Sequence, residues 1–137
     1  MDAPIGRLRR RREFLRVARG RRKWAAPGLV LQAREAAGDS DRARETAGDA
    51  EARIGFTASR KVGNAVARNR ARRRLRAAAR QVLRASAKPG HDYVIIARQA
   101  TLSRAFADLV GDLELAVRKL DAHLNNAAAT RPEDPST

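Results

Sequence analysis

The densest chemical pattern in the sequence runs from Asn64 to Ala85, NAVARNRARRRLRAAARQVLRA. It holds Arg68, Arg70, Arg72, Arg73, Arg74, Arg76, Arg80 and Arg84, and no acidic residue. At the helical period Ala71, Leu75, Ala78 and Val82 share a narrow sector. Arg70, Arg73, Arg76, Arg80 and Arg84 lie opposite, with Arg72 and Arg74 on the flanks. A solvated helix face ordinarily mixes acids with bases, since i,i+4 ion pairs stabilise a helix by about 0.2–0.5 kcal/mol each. A face of one sign repels itself and needs an external polyanion. Arg68 stands at the edge of the dry sector, where a partly buried, hydrogen-bonded role is expected.

Just upstream, Ser59-Arg60-Lys61 and a helix start at Asn64 offer two cations, free backbone N–H groups and a positive dipole end to phosphate. Gly63 permits close backbone approach. Hydrolytic chemistry has no comparable pattern. General acid–base cleavage of RNA needs two groups converging on one phosphate. His91 and His123 sit at a strand start and late in a helix, and both read as surface histidines. Asp108, Asp112 and Glu114 are explained by capping, helix pairing and solvation before metal binding. With no cysteine there is no thiol nucleophile and no zinc–thiolate site. No catalytic residue is assigned, no tightly bound cofactor is expected, and metal ligands stay open.

Elements that position this helix follow from periodicity. Residues 1–6 read as a frayed end and Arg9–Arg19 as a helix carrying Phe14, Val17 and Ala18 on one face, ended by Gly20. Trp24–Ala33 reads as a strand around Leu29-Val30-Leu31, and residues 34–51 as a flexible loop. Over 53–59, Ile54, Phe56 and Ala58 alternate with Arg53, Gly55, Thr57 and Ser59, as a half-buried strand requires. Lys88-Pro89-Gly90 breaks the arginine helix before the strand Tyr93–Ala97. Ser103 is placed to cap a last helix with Phe106, Leu109, Val110, Leu113, Val117, Leu120 and Leu124 in phase. The order is α-β-β-α-β-α, an α+β two-layer α/β sandwich with helices on one sheet face and the other free for a ligand. One domain over 1–125 and a disordered tail over 126–137 are expected.

Composition agrees. Thirty Lys and Arg against 15 Asp and Glu leave a net charge of +15 in 137 residues, which makes nucleic acid the default partner. Hydrophobic residues reach 43%, much of it alanine, so the core should be thin. No apolar run approaches the ~20 residues of a membrane span. The basic start, Arg7 and Arg9 to Arg12, has no apolar stretch behind it, so a cytoplasmic location without membrane contact is expected.

The stretch IGFTASRKVGNAVARNRARRRLRAAAR, Ile54 to Arg80, resembles the signature segment of the bacterial ribonuclease P protein family. It has the strand ending in Ser59-Arg60-Lys61, the Gly63-Asn64-Ala65-Val66 helix start and the Arg68-Asn69-Arg70 core followed by Arg72, Arg73 and Arg76. Arg12-Glu13-Phe14 to Gly20 resembles that family's N-terminal helix, and Asp92 to Arg98 its third-strand segment, so residues 7–125 are covered.

The resemblance implies a protein subunit that assists removal of the 5′ leader from precursor tRNA. A catalytic RNA with Mg2+ carries the endoribonuclease chemistry. It implies that Arg60, Lys61, Asn64, Arg68, Asn69, Arg70, Arg72, Arg73 and Arg76 face the RNA subunit. Phe14, Val30, Gln32, Thr57 and Ser59 would line a cleft for the single-stranded leader. It also implies a left-handed βαβ crossover, in a fold shared with the second domain of a small-subunit ribosomal protein, and one copy per RNA, monomeric alone. Two positions depart from the family: Ala18 and Gln32 stand where aromatics are common. Leader contacts are therefore expected either to be weaker or to be carried by Arg16, Arg19 and Trp24. The competing readings are a ribosomal or RNA-chaperone-type basic protein without enzymatic association, which composition fits equally well, and a DNA-binding helix module. The uniform arginine surface suits phosphate better than base edges.

Overall fold

The structure, a computed structural model, describes residues 5–35 and 52–125, with side chains as far as Asp121. Its elements in chain order are β1 (Ile5–Arg7), α1 (Arg11–Arg19), β2 (Lys23–Ala25), β3 (Leu29–Glu35), β4 (Ala52–Thr57), α2 (Ala65–Ser86), β5 (His91–Ala97), α3 (Ala100–Ser103) and α4 (Phe106–Asn125). The sheet order is β1-β4-β5-β3-β2. β1, β4 and β5 run parallel, and β3 and β2 join antiparallel.

The α+β architecture follows the expectation, with added elements. Residues 5–7 are no frayed end: Ile5, Gly6 and Arg7 pair with Ala52, Arg53 and Ile54. Leu8 extends that pairing through its N–H to the Ile54 carbonyl at 3.0 Å. Three residues are too few to show a period, so such an edge strand is set by its partner alone. The single strand expected over Trp24–Ala33 is a hairpin, because Pro27-Gly28 turns the chain and Ala26 N–H donates to Leu29 O at 2.8 Å. β3 continues through Arg34 and Glu35, residues assigned above to the loop. The rest of that loop and the tail expected over 126–137 lie outside the described residues.

One face of the sheet carries the main core. Leu29, Leu31, Ala33, Ile54, Tyr93, Ile95 and Ala97 meet Ala71, Leu75, Ala78, Ala79, Val82 and Leu83 of α2 and Leu109, Leu113, Ala116, Val117 and Leu120 of α4. The helix phase read from the sequence places Leu75, with no exposure, at the centre. Ser103 does not cap α4; it is the last residue of α3. That corner is instead closed by polar contacts. Arg104 forks onto Asp112 at 2.6 and 3.0 Å, and Asp112 accepts from Gly28 N–H at 3.0 Å. Thr101 donates to Gly28 O at 2.6 Å. These Asp112 hydrogen bonds hold the Arg104 guanidinium more firmly protonated than usual.

The second face is not left bare. α1 crosses part of it, packing Val17 and Phe14 with Leu8, Val94 and Ile96. Its face differs from the expected one: Val17 and Glu13 are buried, Phe14 is half-buried and Ala18 is exposed. Glu13 turns inward because a cation waits there. Arg53 donates to Glu13 Oε2 at 2.7 Å and forks onto Asp92 at 2.9 and 3.0 Å. Glu13 Oε1 meanwhile accepts the N–H groups of Arg9 and Arg10 at 2.7 and 2.8 Å, so one carboxylate also closes the N-terminus of α1. Where α1 ends, the left-handed backbone is taken by Arg21 (φ 60°), whereas Gly20 is helical (φ −67°).

Candidate nucleic-acid interface

The loop between β4 and α2 is built by short-range bonds. Val62 N–H donates to Ser59 O and Gly63 N–H to Arg60 O, at 3.0 and 3.2 Å. Gln99 Nε2 holds the Lys61 carbonyl at 2.9 Å. Gly63 has a φ of 149°, and a Cβ there would stand 2.9 Å from that of Ala67, so a side chain is excluded twice over. Asn64 caps α2, its Oδ1 accepting from Ala67 N–H at 2.9 Å. Arg60 and Lys61 are exposed beside this helix start.

Along α2, Asn69, Arg72, Arg73, Arg76 and Arg80 follow the i, i+3, i+4 spacing and form one stripe. Arg73 and Arg80 are exposed, as is Arg70 to one side. Asn69 Oδ1 accepts from Arg72 Nη1 at 2.8 Å and orients that guanidinium. Arg76 departs from the fully wet position read for it. It is half-buried, with its guanidinium carbon 5.5 Å from the centroid of the Phe56 ring. Arg68 is half-buried and lies toward the dry side, two turns before Leu75, apart from the stripe. Arg74, also half-buried, donates to the carbonyls of Thr101 (2.9 Å) and Arg104.

The residues read as a cleft are brought to the other face of the sheet by strand register. Gln32, Val94 and Gly55 form one row across β3, β5 and β4; Val30, Ile96 and Thr57 form the next. α1 covers the first row with Phe14, whose Cε2 would lie 2.4 Å from a Cβ on Gly55. Gly55 is thus the flat spot on which the ring rests. Beyond Phe14 the second row is half-buried, and Ser59, exposed, continues β4 past its end. Next to Ile96 a depression of about 730 Å³ is bordered by Ser59, Lys61, Arg98 and Gln99. Ile96 belongs to this surface although periodicity gave no sign of it, because YVIIA reads as apolar throughout; only the pairing with Val30 and Thr57 assigns its face.

Three sequence readings need correction here. Trp24 does not border the cleft: it pairs with Leu31 on the core side and lies under Lys119, with Nζ 5.8 Å from the ring centroid. The strand face read as polar and open is closed at Arg53 by Glu13 and Asp92. His91 is buried, its Nδ1 3.0 Å from Pro89 O and its ring stacked 6.2 Å from Tyr93. The strand begins at His91, earlier than Tyr93, which draws the imidazole into the sheet end. The side chain of His123 lies outside the described residues.

The sheet therefore carries two different surfaces back to back. A guanidinium stripe lies on α2, the half-buried row Val30, Ile96 and Thr57 leads from Phe14 of α1 to the depression at Ile96, and Ser59, Arg60 and Lys61 lie at that end. Residues 5–121 match the family described as Ribonuclease P. The chain is 49% identical to the ribonuclease P protein component of Paramagnetospirillum magneticum, over 99% of this chain and 98% of that one. It is 52% identical to that of Ruegeria pomeroyi, over 86% and 88%. Among solved structures it resembles the RNase P protein from Thermotoga maritima, with 26% identity and a TM-score of 0.62, over 82% of this chain and 96% of that one. The Staphylococcus aureus RNase P protein shares the fold, with 23% identity and a TM-score of 0.62 over 82% and 93%. With a match across both surfaces and nearly the whole chain, this protein belongs to the ribonuclease P protein family.

Proposed function

We propose that this chain is the protein subunit of ribonuclease P, working in the cytoplasm as one copy on a catalytic RNA, and that it helps remove the 5′ leader of precursor tRNA. The observation that carries the reading is the acid-free guanidinium stripe of α2, set on the opposite side of the sheet from the groove beside Phe14. The stripe suits a folded RNA, since planar forks bind phosphates bidentately and neutralise the backbone. The groove suits a single strand: Phe14, Val30 and Ile96 offer apolar surface to bases, and Arg60 and Lys61 stand at its end for phosphates.

The same reading divides the labour between protein and RNA. The buried carboxylates under α1, Glu13 and Asp92, are engaged by Arg53, and among the described residues no group of three or more possible metal ligands comes together. We therefore assign Mg2+ and the hydrolytic step to the RNA subunit. The protein's part is to hold two anionic chains together at moderate salt, where their repulsion is poorly screened.

Reconstitution with a matching catalytic RNA and Mg2+ tests this. The protein alone should cleave nothing, and with the RNA it should speed 5′ processing. Its gain in precursor affinity should be greater for a leader of several nucleotides than for a single one, and should shrink in Phe14→Ala with mature tRNA binding nearly unchanged. Robust cleavage by RNA-free protein, or a gain independent of leader length, refutes it.

A further inference from the structure

One cavity lies away from the groove and at the edge of the arginine stripe, with which it shares Arg76 and Arg80. It lies between the edge strand β1 and α2, has a volume of about 330 Å³, and is lined by the apolar Ile5, Ile54 and Phe56 and by Arg7, Arg76, Arg80 and Arg84. Arg76 extends over the Phe56 ring at 5.5 Å. Its Nε is sealed from solvent and has no hydrogen-bond partner among the described residues. A buried donor in that state is unfavourable, and an acceptor reaching the guanidinium would relieve it.

The lining selects a ligand class. An apolar ligand would make no use of the four arginines around the cavity, and a bare phosphate would leave the apolar floor idle. A flat aromatic group carrying an adjacent phosphate uses both. Base faces stack on guanidinium planes as well as on aromatic rings, and their edges supply acceptors. We propose that this cavity accepts one unstacked nucleotide of the bound RNA, its base against Arg76 and the apolar floor and its phosphate on Arg7 and Arg80. The inference rests on the RNA-binding reading above and adds a site that anchors an extruded nucleotide, where the stripe binds only backbone. Because every base has a stacking face, the site selects an unpaired nucleotide more than a sequence.

The test uses the full chain with a matching catalytic RNA. Arg76→Lys keeps the charge and loses the plane, so binding should weaken by about tenfold while the salt slope and the melting temperature stay as in the wild type. Independently of any variant, wild-type protein photo-cross-linked to RNA substituted with 4-thiouridine should give adducts within Ile5–Arg7 or at Phe56. Wild-type affinity in Arg76→Lys, or adducts confined to other segments, overturns the cavity site alone. If the wild-type protein shows no salt-dependent RNA binding, the wider reading falls with it. Titration with adenosine or uridine 5′-monophosphate separates the sources. Only weak, millimolar binding is expected, whereas micromolar saturation together with unchanged RNA affinity in Arg76→Lys would mark a free-nucleotide site and overturn the proposal.

Discussion

Arg53 Nη1 lies 2.7 Å from Glu13 Oε2, so a cation from the middle of the sheet fastens the N-terminal helix to it. The same guanidinium forks onto Asp92 of the neighbouring strand, and the side chains of all three residues are at most 5% exposed. Such a cluster need not be more stable than an apolar packing of equal volume, but removing one member strands the others without solvent. Arg53→Met should destabilise the protein by about 3–5 kcal/mol in urea unfolding, since it leaves two buried carboxylates facing each other. Glu13→Gln should cost less, because its amide oxygen keeps one of the two sets of donors, Arg53 or the N–H groups of Arg9 and Arg10, although its NH2 then faces the other.

Leu75 is fully buried where α2 meets the sheet. Leu75→Ala should lower stability by about 2–5 kcal/mol, toward the upper end if the alanine-rich surroundings cannot collapse into the gap. Denaturant midpoints with an unchanged m-value would verify it.

The exposed stripe makes a separate prediction about ions. Arg70, Arg73 and Arg80 are exposed on an acid-free helix. Changing all three to Gln should make the log–log salt dependence of RNA binding shallower by about two to three units, at ~0.7–0.9 per phosphate contact. Melting should be unaffected, since none of the three lies in the core.

Tyr93 gives a pH signature. Burial pushes its phenol up to about 12, opposed by the Lys88 N–H that its oxygen accepts at 2.9 Å and reinforced by Asp121. The folded pKa lies above the unfolded one, so the contribution is complete below pH 10 and is lost as pH rises from 10 through about 12. The loss should be on the order of 2 kcal/mol. Tyr93→Phe should be less stable at neutral pH, lacking the bond to Lys88, yet lose less than the wild type between those limits.

Helix phases were readable because α2 and α4 bury a continuous stripe: Ala71, Leu75, Ala78 and Val82 repeat for long enough to outweigh local noise. The arginine stripe was readable for the same reason, read from the other side of the helix. What escaped depends on pairing across the chain. β1 is three residues long, Ile96 sits in a uniformly apolar run, and the turn at Pro27-Gly28 hides inside what looks like one strand. Charge misled most at Arg53, an apparently outward residue of a half-polar strand whose partners lie 40 residues before and 39 after it. Arg76 escaped in part for a similar reason, since nothing in its own helix announces that Phe56 lies beneath it.

The two cores are unequal, and that difference sets an order of opening. α2 and α4 share one large apolar cluster with the sheet, whereas α1 rests on Leu8, Val17 and Val94, the edge of Phe14 and Ile96, and the ion cluster at Arg53. Its apolar attachment is thus the smaller of the two. Amide protons of α1 should therefore exchange through a sub-global opening well below the free energy of full unfolding, while those of β5 wait for the whole molecule. On that expectation the sheet side of the surface beside Phe14 stays fixed while the helix side can open. A strand of RNA entering it would be gripped by a part that can lift without disturbing the guanidinium stripe on the far side.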